Sequence, residues 1–331
     1  FHKYDIEDYY AIDPQYGTME DFDDLIAECN QRGIAVILDL VLNCTSNIHP
    51  WFLEALNDPE SPYRAYYRFL SDVDNPDDYD LHAAVLGYDS WYRYDSEGNS
   101  YDVDGDQGDE IACSLYAGYM PDLNYDNEAV RQEALDIAKF YLDMGVDGFR
   151  FDAAKYIYYG DNARSAAFWQ WYTGELRALS PDIWMVAEVW DGDGIISRYA
   201  PCVNCFHFST SQAEGIYAAT ARAGNVNKLT ATTEKYLANL KEINPEAMNI
   251  PFIANHDTDR AAGYLPVTNF RMQMAANLYL LGPGSPFIYY GEELGMKGSR
   301  GGAGTDANRR LAMLWGDGDS VANPVGADYD E

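Results

Sequence analysis

The chain has 331 residues, 47% of them hydrophobic, with 54 Asp and Glu against 22 Lys and Arg, a formal net charge of −32. That much apolar content excludes a disordered chain. So acidic a surface repels phosphate backbones and anionic lipid, which excludes nucleic acid and membrane surfaces as partners and suits an uncharged one. No apolar run is long enough to cross a bilayer, and no signal peptide is visible. Five cysteines, Cys29, Cys44, Cys113, Cys202 and Cys205, leave at least one thiol unpaired. Cys202 and Cys205 form a lone C-x-x-C, poor grounds for zinc without a second pair. Buried thiols, with room for one bridge, are expected.

In chain order, the spacing of Thr18 and Asp21 predicts a capped helix that stops at Gly33. The run IAVILDLVL predicts a buried strand over 34–42. From 45 to about 119 the chain is rich in Asp, Tyr, Trp, Pro and Ser and has little periodicity. A structureless loop of that length is anomalous, so it reads as a small inserted domain. Helices are expected over 127–144, 163–179 and 269–281. Further strands are expected over 146–151, 183–188, 203–208, 250–254 and 286–290, with 1–5 as the tail of another. Strands alternating with helices predict a parallel sheet wrapped by helices. Six full strands fall short of the eight that close a barrel. The reading is therefore a (β/α)8 TIM barrel lacking one or two opening strands, built from 1–44 and 119–331 and interrupted by a domain over 45–118.

Chemistry in such a barrel collects where strands end and loops begin. Four acids occupy such positions: Asp39, Asp152, Glu188 and Asp257. Arg150, two residues before Asp152 on the same strand, faces the same way. One acid after an apolar run is ordinarily a helix cap. Four of them converging with an arginine are costly to desolvate without a use. Glycosidic cleavage uses such a set: one carboxylate attacks or positions water, and one carboxylic acid protonates the leaving oxygen. A third stabilises positive charge and keeps its neighbour protonated. Arg150 would hold the attacking carboxylate ionised.

Six blocks occur in a fixed order: DLVLN at 39–43, MPDLN at 120–124, GFRFDAAK at 148–155, EVWD at 188–191, NHD at 255–257 and GSPFIYYGEELGM at 284–296. With these the chain resembles the α-amylase family of glycoside hydrolases over nearly its whole length. The resemblance implies Asp152 as nucleophile, Glu188 as acid/base and Asp257 as transition-state stabiliser. Arg150 and His256 would hold the nucleophile and the scissile sugar. His2 and Tyr4 match the His and stacking Tyr at the sugar being cleaved, and Lys155 a residue on the leaving-group side. Asp306 and Arg309 resemble a pair binding the next sugar toward the non-reducing end. For Tyr4 core packing, for Asp306 a helix cap and for His256 a satisfied core histidine remain the plain alternatives.

The family also implies a structural Ca²⁺ held by Asn43, Asp122 and the Tyr156 backbone oxygen, although turn capping explains the first two nearly as well. Asp102, Asp104, Asp106 and Asp109 miss the EF-hand spacing and read as a solvated acidic turn. The chain departs from the family twice. Cys44 stands where a His that binds the cleaved sugar is usual, which should lower activity because a thiol is a weak donor. Tyr156 stands where His commonly follows Lys155. Ala153 after the nucleophile goes, within the family, with α-1,4 activity. The expected partner is thus an α-glucan and the expected setting extracellular or cell-surface. A catalytically weakened glucan-binding protein and a transglycosylase are the rival readings.

Overall fold

Thr18 starts the first helix, α1 (Met19–Gln31), as its spacing predicts: its hydroxyl accepts from the Asp21 amide, and the Asp21 carboxylate accepts from the Thr18 amide. Gly33, at φ 68°, ends the segment in a left-handed conformation that costs a glycine little. The computed structural model describes residues 2–83, 88–265, 270–300 and 305–316. Phe1 of the expected strand tail and Asn269 of an expected helix lie outside the described residues. The chain divides into two units, Phe1–Met185 and Val186–Glu331.

In the first unit, β1 (Ile37–Leu40) pairs in parallel with β5 (Gly148–Phe151), and the register sets Asp39 opposite Arg150. The strand expected over 34–42 is thus shorter; Ile34 is exposed. Between them the segment 45–118 builds its own elements. Helix α2 (Pro50–Asn57) is capped by His49, whose ring nitrogen accepts from the Trp51 amide. Strands β2 (Trp91–Tyr94), β3 (Ser100–Tyr101) and β4 (Glu110–Cys113) form an antiparallel sheet in the order β3-β2-β4. Trp91, Val103, Cys113 and Leu115 bury each other there. The Arg64 guanidinium is buried over Phe69, with its centre 3.6 Å from the ring centroid, and pairs with Asp72 and Glu110. Helices α3 (Glu128–Asp143) and α4 (Asn162–Leu179) follow, close to the predicted bounds. Beside β1, a cavity of about 670 Å³ is lined by Leu38, Asp39, Leu40, Tyr9 and Phe149 among others.

Strand β6 (Trp184–Ala187) starts in the first unit, where the Trp184 amide donates to the Asp147 carbonyl at 2.9 Å. In the second unit its last residues, Val186 and Ala187, pair in parallel with β7 (Asn204–Cys205). The strand expected over 203–208 stops at Cys205 because the chain winds into a 3₁₀ turn over Phe208–Thr210. Helices α5 (Asp193–Tyr199), α6 (Ile216–Ala223) and α7 (Val226–Ile243) come next, all unforeseen. Over its 18 residues α7 buries only Tyr236 and Leu240, too thin an apolar stripe to stand out in sequence. Then come α8 (Ala261–Tyr264), α9 (Arg271–Leu280) and α10 (Thr305–Arg309).

Segments 250–254 and 286–290 correct the sequence reading: apart from a single parallel bridge between Ile250 and Phe206 they are not strands. Ser285 and Phe287 donate to the carbonyls of Asn249 and Pro251, at 2.9 Å each, as in a parallel ladder. The reciprocal bond would come from the amide of residue 251, and a proline has none. Neither does Pro286. All five cysteines are free, and Cys29 alone is not buried, so the thiols are mostly buried as expected and no bridge forms. The Cys202 and Cys205 thiols turn to different carbonyls, those of Tyr199 and Val203. Among the described residues no helix is long and apolar enough to cross a membrane.

Gly148 opens β5 where a Cβ would overlap the Trp184 carbonyl oxygen and carbon. Backbone cannot swing aside as a flexible side chain does. Gly148→Ala should therefore lower stability by at least about 2 kcal/mol, read as a lower urea midpoint. An unchanged midpoint would show that the strands can part at this point without cost.

Candidate active site

Strand β5 ends at Phe151, so its next residue, Asp152, emerges at the carboxyl end of the strand. Its backbone is fixed on both sides: the amide donates to the Leu40 carbonyl at 3.2 Å, and its carbonyl accepts from Asn43 Nδ2 at 2.8 Å. Its side chain then meets Arg150, whose Nη1 donates to Asp152 Oδ1 at 2.6 Å. The same nitrogen reaches both oxygens of Asp39, at 2.7 and 2.8 Å. Tyr4 closes the group, its hydroxyl donating to Asp39 Oδ2 at 2.8 Å. Arg150 is only 8% exposed. One buried cation thus offsets the repulsion between two carboxylates, through short charge-assisted bonds. His2 lies by Tyr4, their rings stacked at 6.3 Å, and its Nδ1 accepts from the Tyr4 amide.

Ala153, next after Asp152, has φ 42° and ψ 43°, a left-handed conformation rare without glycine. It turns the chain from β5 into the short 3₁₀ helix Ala154–Tyr156, which carries Lys155. The Lys155 ammonium lies 5.1 Å from the centre of the Tyr156 ring. Cys44 is not brought to this group in a useful way. It is 1% exposed, packed with Val41 and Met120 against Tyr4. Burial, with Asp122, Asp152 and Asp5 nearby, pushes its thiol well above the usual range, so it offers neither a thiolate nor a sugar-facing surface.

The residues implied for calcium can be tested on their own chemistry. Asn43 Oδ1 is buried without a hydrogen-bond partner. The Asp122 carboxyl is buried, and burial pushes it up to about 7, although Oδ2 accepts from the Cys113 thiol at 3.3 Å and the Leu115 amide at 3.0 Å. An orphaned amide oxygen and a buried carboxylate are the hard donors that calcium takes. The donor set fits. Among the described residues no three His, Cys, Asp or Glu side chains gather as a metal site, so further ligands would be backbone oxygens or water.

In the second unit, Glu188 follows directly on β6 and is 7% exposed. Asp257 follows the segment 250–254. Its amide donates to Asn255 Oδ1 at 3.0 Å, and the Asn255 amide donates to Thr258 Oγ1 at 2.9 Å, a tight local turn. His256 Nε2 lies 3.0 Å from Asp257 Oδ2. Asp306 pairs with Arg309. A residue that the sequence reading missed is Arg310. Its Nη2 donates to Asp257 Oδ1 at 2.8 Å and its Nε to the His256 carbonyl at 3.2 Å. Only spatial pairing distinguishes it from its neighbour Arg309.

Asp152, held by Arg150 at the carboxyl end of β5, is a carboxylate of the kind glycosidic cleavage needs. The family model for the α-amylase catalytic domain matches residues 1–323. Over 302 residues the chain is 37% identical to alpha-amylase 3 of Dictyoglomus thermophilum, covering 91% of itself and 55% of that relative. It is 31% identical over 306 residues to a 4-alpha-glucanotransferase of Thermotoga maritima, covering 90% of itself and 61% of that protein. The solved structure of Eubacterium rectale Amy13B superposes with a TM-score of 0.83 at 33% identity, covering 99% of this chain and 62% of that one. The chain belongs to the α-amylase family of glycoside hydrolases. It spans little more than half the length of the relatives it matches.

The turn after Asp152 makes a measurable claim. Relieving a left-handed alanine offsets the extra freedom of glycine, so Ala153→Gly should stabilise by about 0.5–1 kcal/mol. Ala153→Val should cost more than about 1 kcal/mol, since a β-branched residue fits that region worst. Equal urea midpoints for all three proteins would show that the turn stores no strain.

Proposed function

We propose that the chain is the catalytic part of a retaining hydrolase that cleaves α-1,4-glucosidic bonds of starch-like glucans. The observation that carries this reading is the single Arg150 nitrogen shared by Asp39 and Asp152. An attacking carboxylate must stay ionised and aimed, and that contact does both.

Asp152 attacks the anomeric carbon, forming a glycosyl ester as the bond to the leaving oxygen breaks. Glu188 donates its proton to that oxygen and then takes one from the water that cleaves the ester. Asp257, held by Arg310 and its own turn, balances the charge of the oxocarbenium-like state. Tyr4 bonds Asp39, His2 stacks on Tyr4, and both suit contacts to the sugar being cleaved. Arg150 and His256 hold the carboxylates, Lys155 serves the leaving-group side, and Asp306 with Arg309 the next sugar. Cys44 contributes packing where a sugar-binding His is usual. Bound calcium would supply charge that keeps Asp122 ionised beside Asn43 and the Tyr156 carbonyl, tying the segment before α3 to the end of β1. We take 45–118 as an inserted domain, the whole as part of a (β/α)8 barrel, and the setting as extracellular or cell-surface.

A second reading has one specific support, the 31% identity to a protein named a 4-alpha-glucanotransferase. The glycosyl ester can pass to a sugar hydroxyl in place of water, so transfer and hydrolysis share the first half of the reaction.

Glu188→Gln and Asp152→Asn should each cut reducing-sugar release from soluble starch by at least about 1,000-fold while far-UV circular dichroism stays unchanged. Activity within tenfold of the parent would remove both from their roles. Chain-length redistribution of maltooligosaccharides without net reducing ends would favour transfer. Retention also requires the carboxyls of Asp152 and Glu188 to stand about 5–5.5 Å apart, and a crystallographic separation near 9 Å would point to inversion.

A further inference from the structure

The turn that leaves Asp152 is held rigidly along its length. Trp169 Nε1 donates to the Ala154 carbonyl at 2.7 Å. The Tyr158 amide donates to Ser165 Oγ at 3.2 Å, and the Tyr158 hydroxyl to the Tyr125 carbonyl at 3.0 Å. Gly160, at φ 75°, then sends the chain toward α4. Tyr158 is buried among these anchors, whereas the residue beside it, Tyr159, is 47% exposed. Its ring lies nearly parallel to that of Tyr156, with centroids 6.1 Å apart and planes 15° apart. Tyr116 meets Tyr156 edge-on at 5.4 Å, and the Lys155 ammonium approaches the Tyr156 ring.

A single exposed tyrosine is ordinary on a protein surface. This one differs in three respects. It is backed by a second ring, that ring is braced by a third, and the backbone between them is pinned. Fixing the ring before a ligand arrives removes much of the ordering cost of binding. The site is also tethered to the attacking carboxylate: only six residues separate Asp152 from Tyr159, which holds the two within about 25 Å.

We propose that Tyr159, backed by Tyr156, is a sugar-stacking platform at the rim of the Asp152 site, taking a glucosyl unit beyond the one being cleaved. The proposal rests on the α-glucan reading above and names a further contact for that substrate. A pyranose ring has an apolar C–H face that suits an aromatic ring, and a rim of hydroxyls that suits donors such as the phenol and Lys155. An uncharged ligand also meets no repulsion from so acidic a chain.

The test uses the whole chain with Glu188→Gln, so that maltoheptaose is bound without turnover, and calorimetry to read Kd. Adding Tyr159→Ala should raise Kd by about 3–10-fold, the worth of one ring contact, whereas Tyr159→Phe keeps the ring and should stay within about twofold. With Glu188 intact, the Ala variant should raise KM for maltoheptaose and leave kcat within about twofold, a split that general loosening of the fold would not give. If Tyr159→Ala binds maltoheptaose as tightly as its parent, the platform is wrong and the α-glucan reading stands. If the parent itself binds no maltoheptaose and hydrolyses none, the α-glucan reading fails and takes the platform with it.

Discussion

The first unit is organised around one nitrogen atom. Arg150 Nη1 bonds to Asp39 on β1 and to Asp152 beyond β5, and the parallel register that sets residue 39 opposite residue 150 makes this possible. Moving the register by one residue would turn Arg150 or Asp39 to the other face of the sheet. Two carboxylates this near each other repel, and burying a guanidinium is costly without carboxylates to pair with it. Each group makes the others tolerable, and the sheet, the Asn43 contact and the turn at Ala153 all serve to keep them in place.

The second unit solves a similar problem with different means. Arg260 is wholly buried, its guanidinium centre 4.2 and 4.7 Å from the ring centres of Tyr289 and Tyr290. It donates to the carbonyls of Tyr290 and Arg309, and the Tyr289 and Tyr290 hydroxyls donate to the carbonyls of Arg309 and Leu311. These bonds fix the backbone on either side of Arg310. The guanidinium that meets Asp257 is therefore aimed by a second arginine that never touches the carboxylate.

Sequence reading recovered what repeats or punctuates. The Thr18–Asp21 cap, the Gly33 stop, the β1 and β5 cores and helices α3 and α4 all carry local signals, and all appear near their expected places. The pairing of Arg150 with Asp152 was legible because a strand's period of two puts both on one face. Arg310 was not, because its partner lies 53 residues away and nothing local distinguishes it from Arg309. The segments at 250 and 286 read as strands from their apolar content, yet prolines removed the donors that would make them so. Helix α7 escaped for the opposite reason, since most of its surface faces water. Cys44 reads as a lost sugar contact in sequence, and as a buried packing residue behind Tyr4 in space.

The unusual backbone at Ala153 ties the choice of residue after Asp152 to the stability of the chain. A larger or branched side chain there would have to be accommodated in a conformation that such side chains resist. A lineage changing this position would first need slack elsewhere in the fold, or a rebuilt turn. Sequence here evolves against a steric toll set by one pair of dihedral angles.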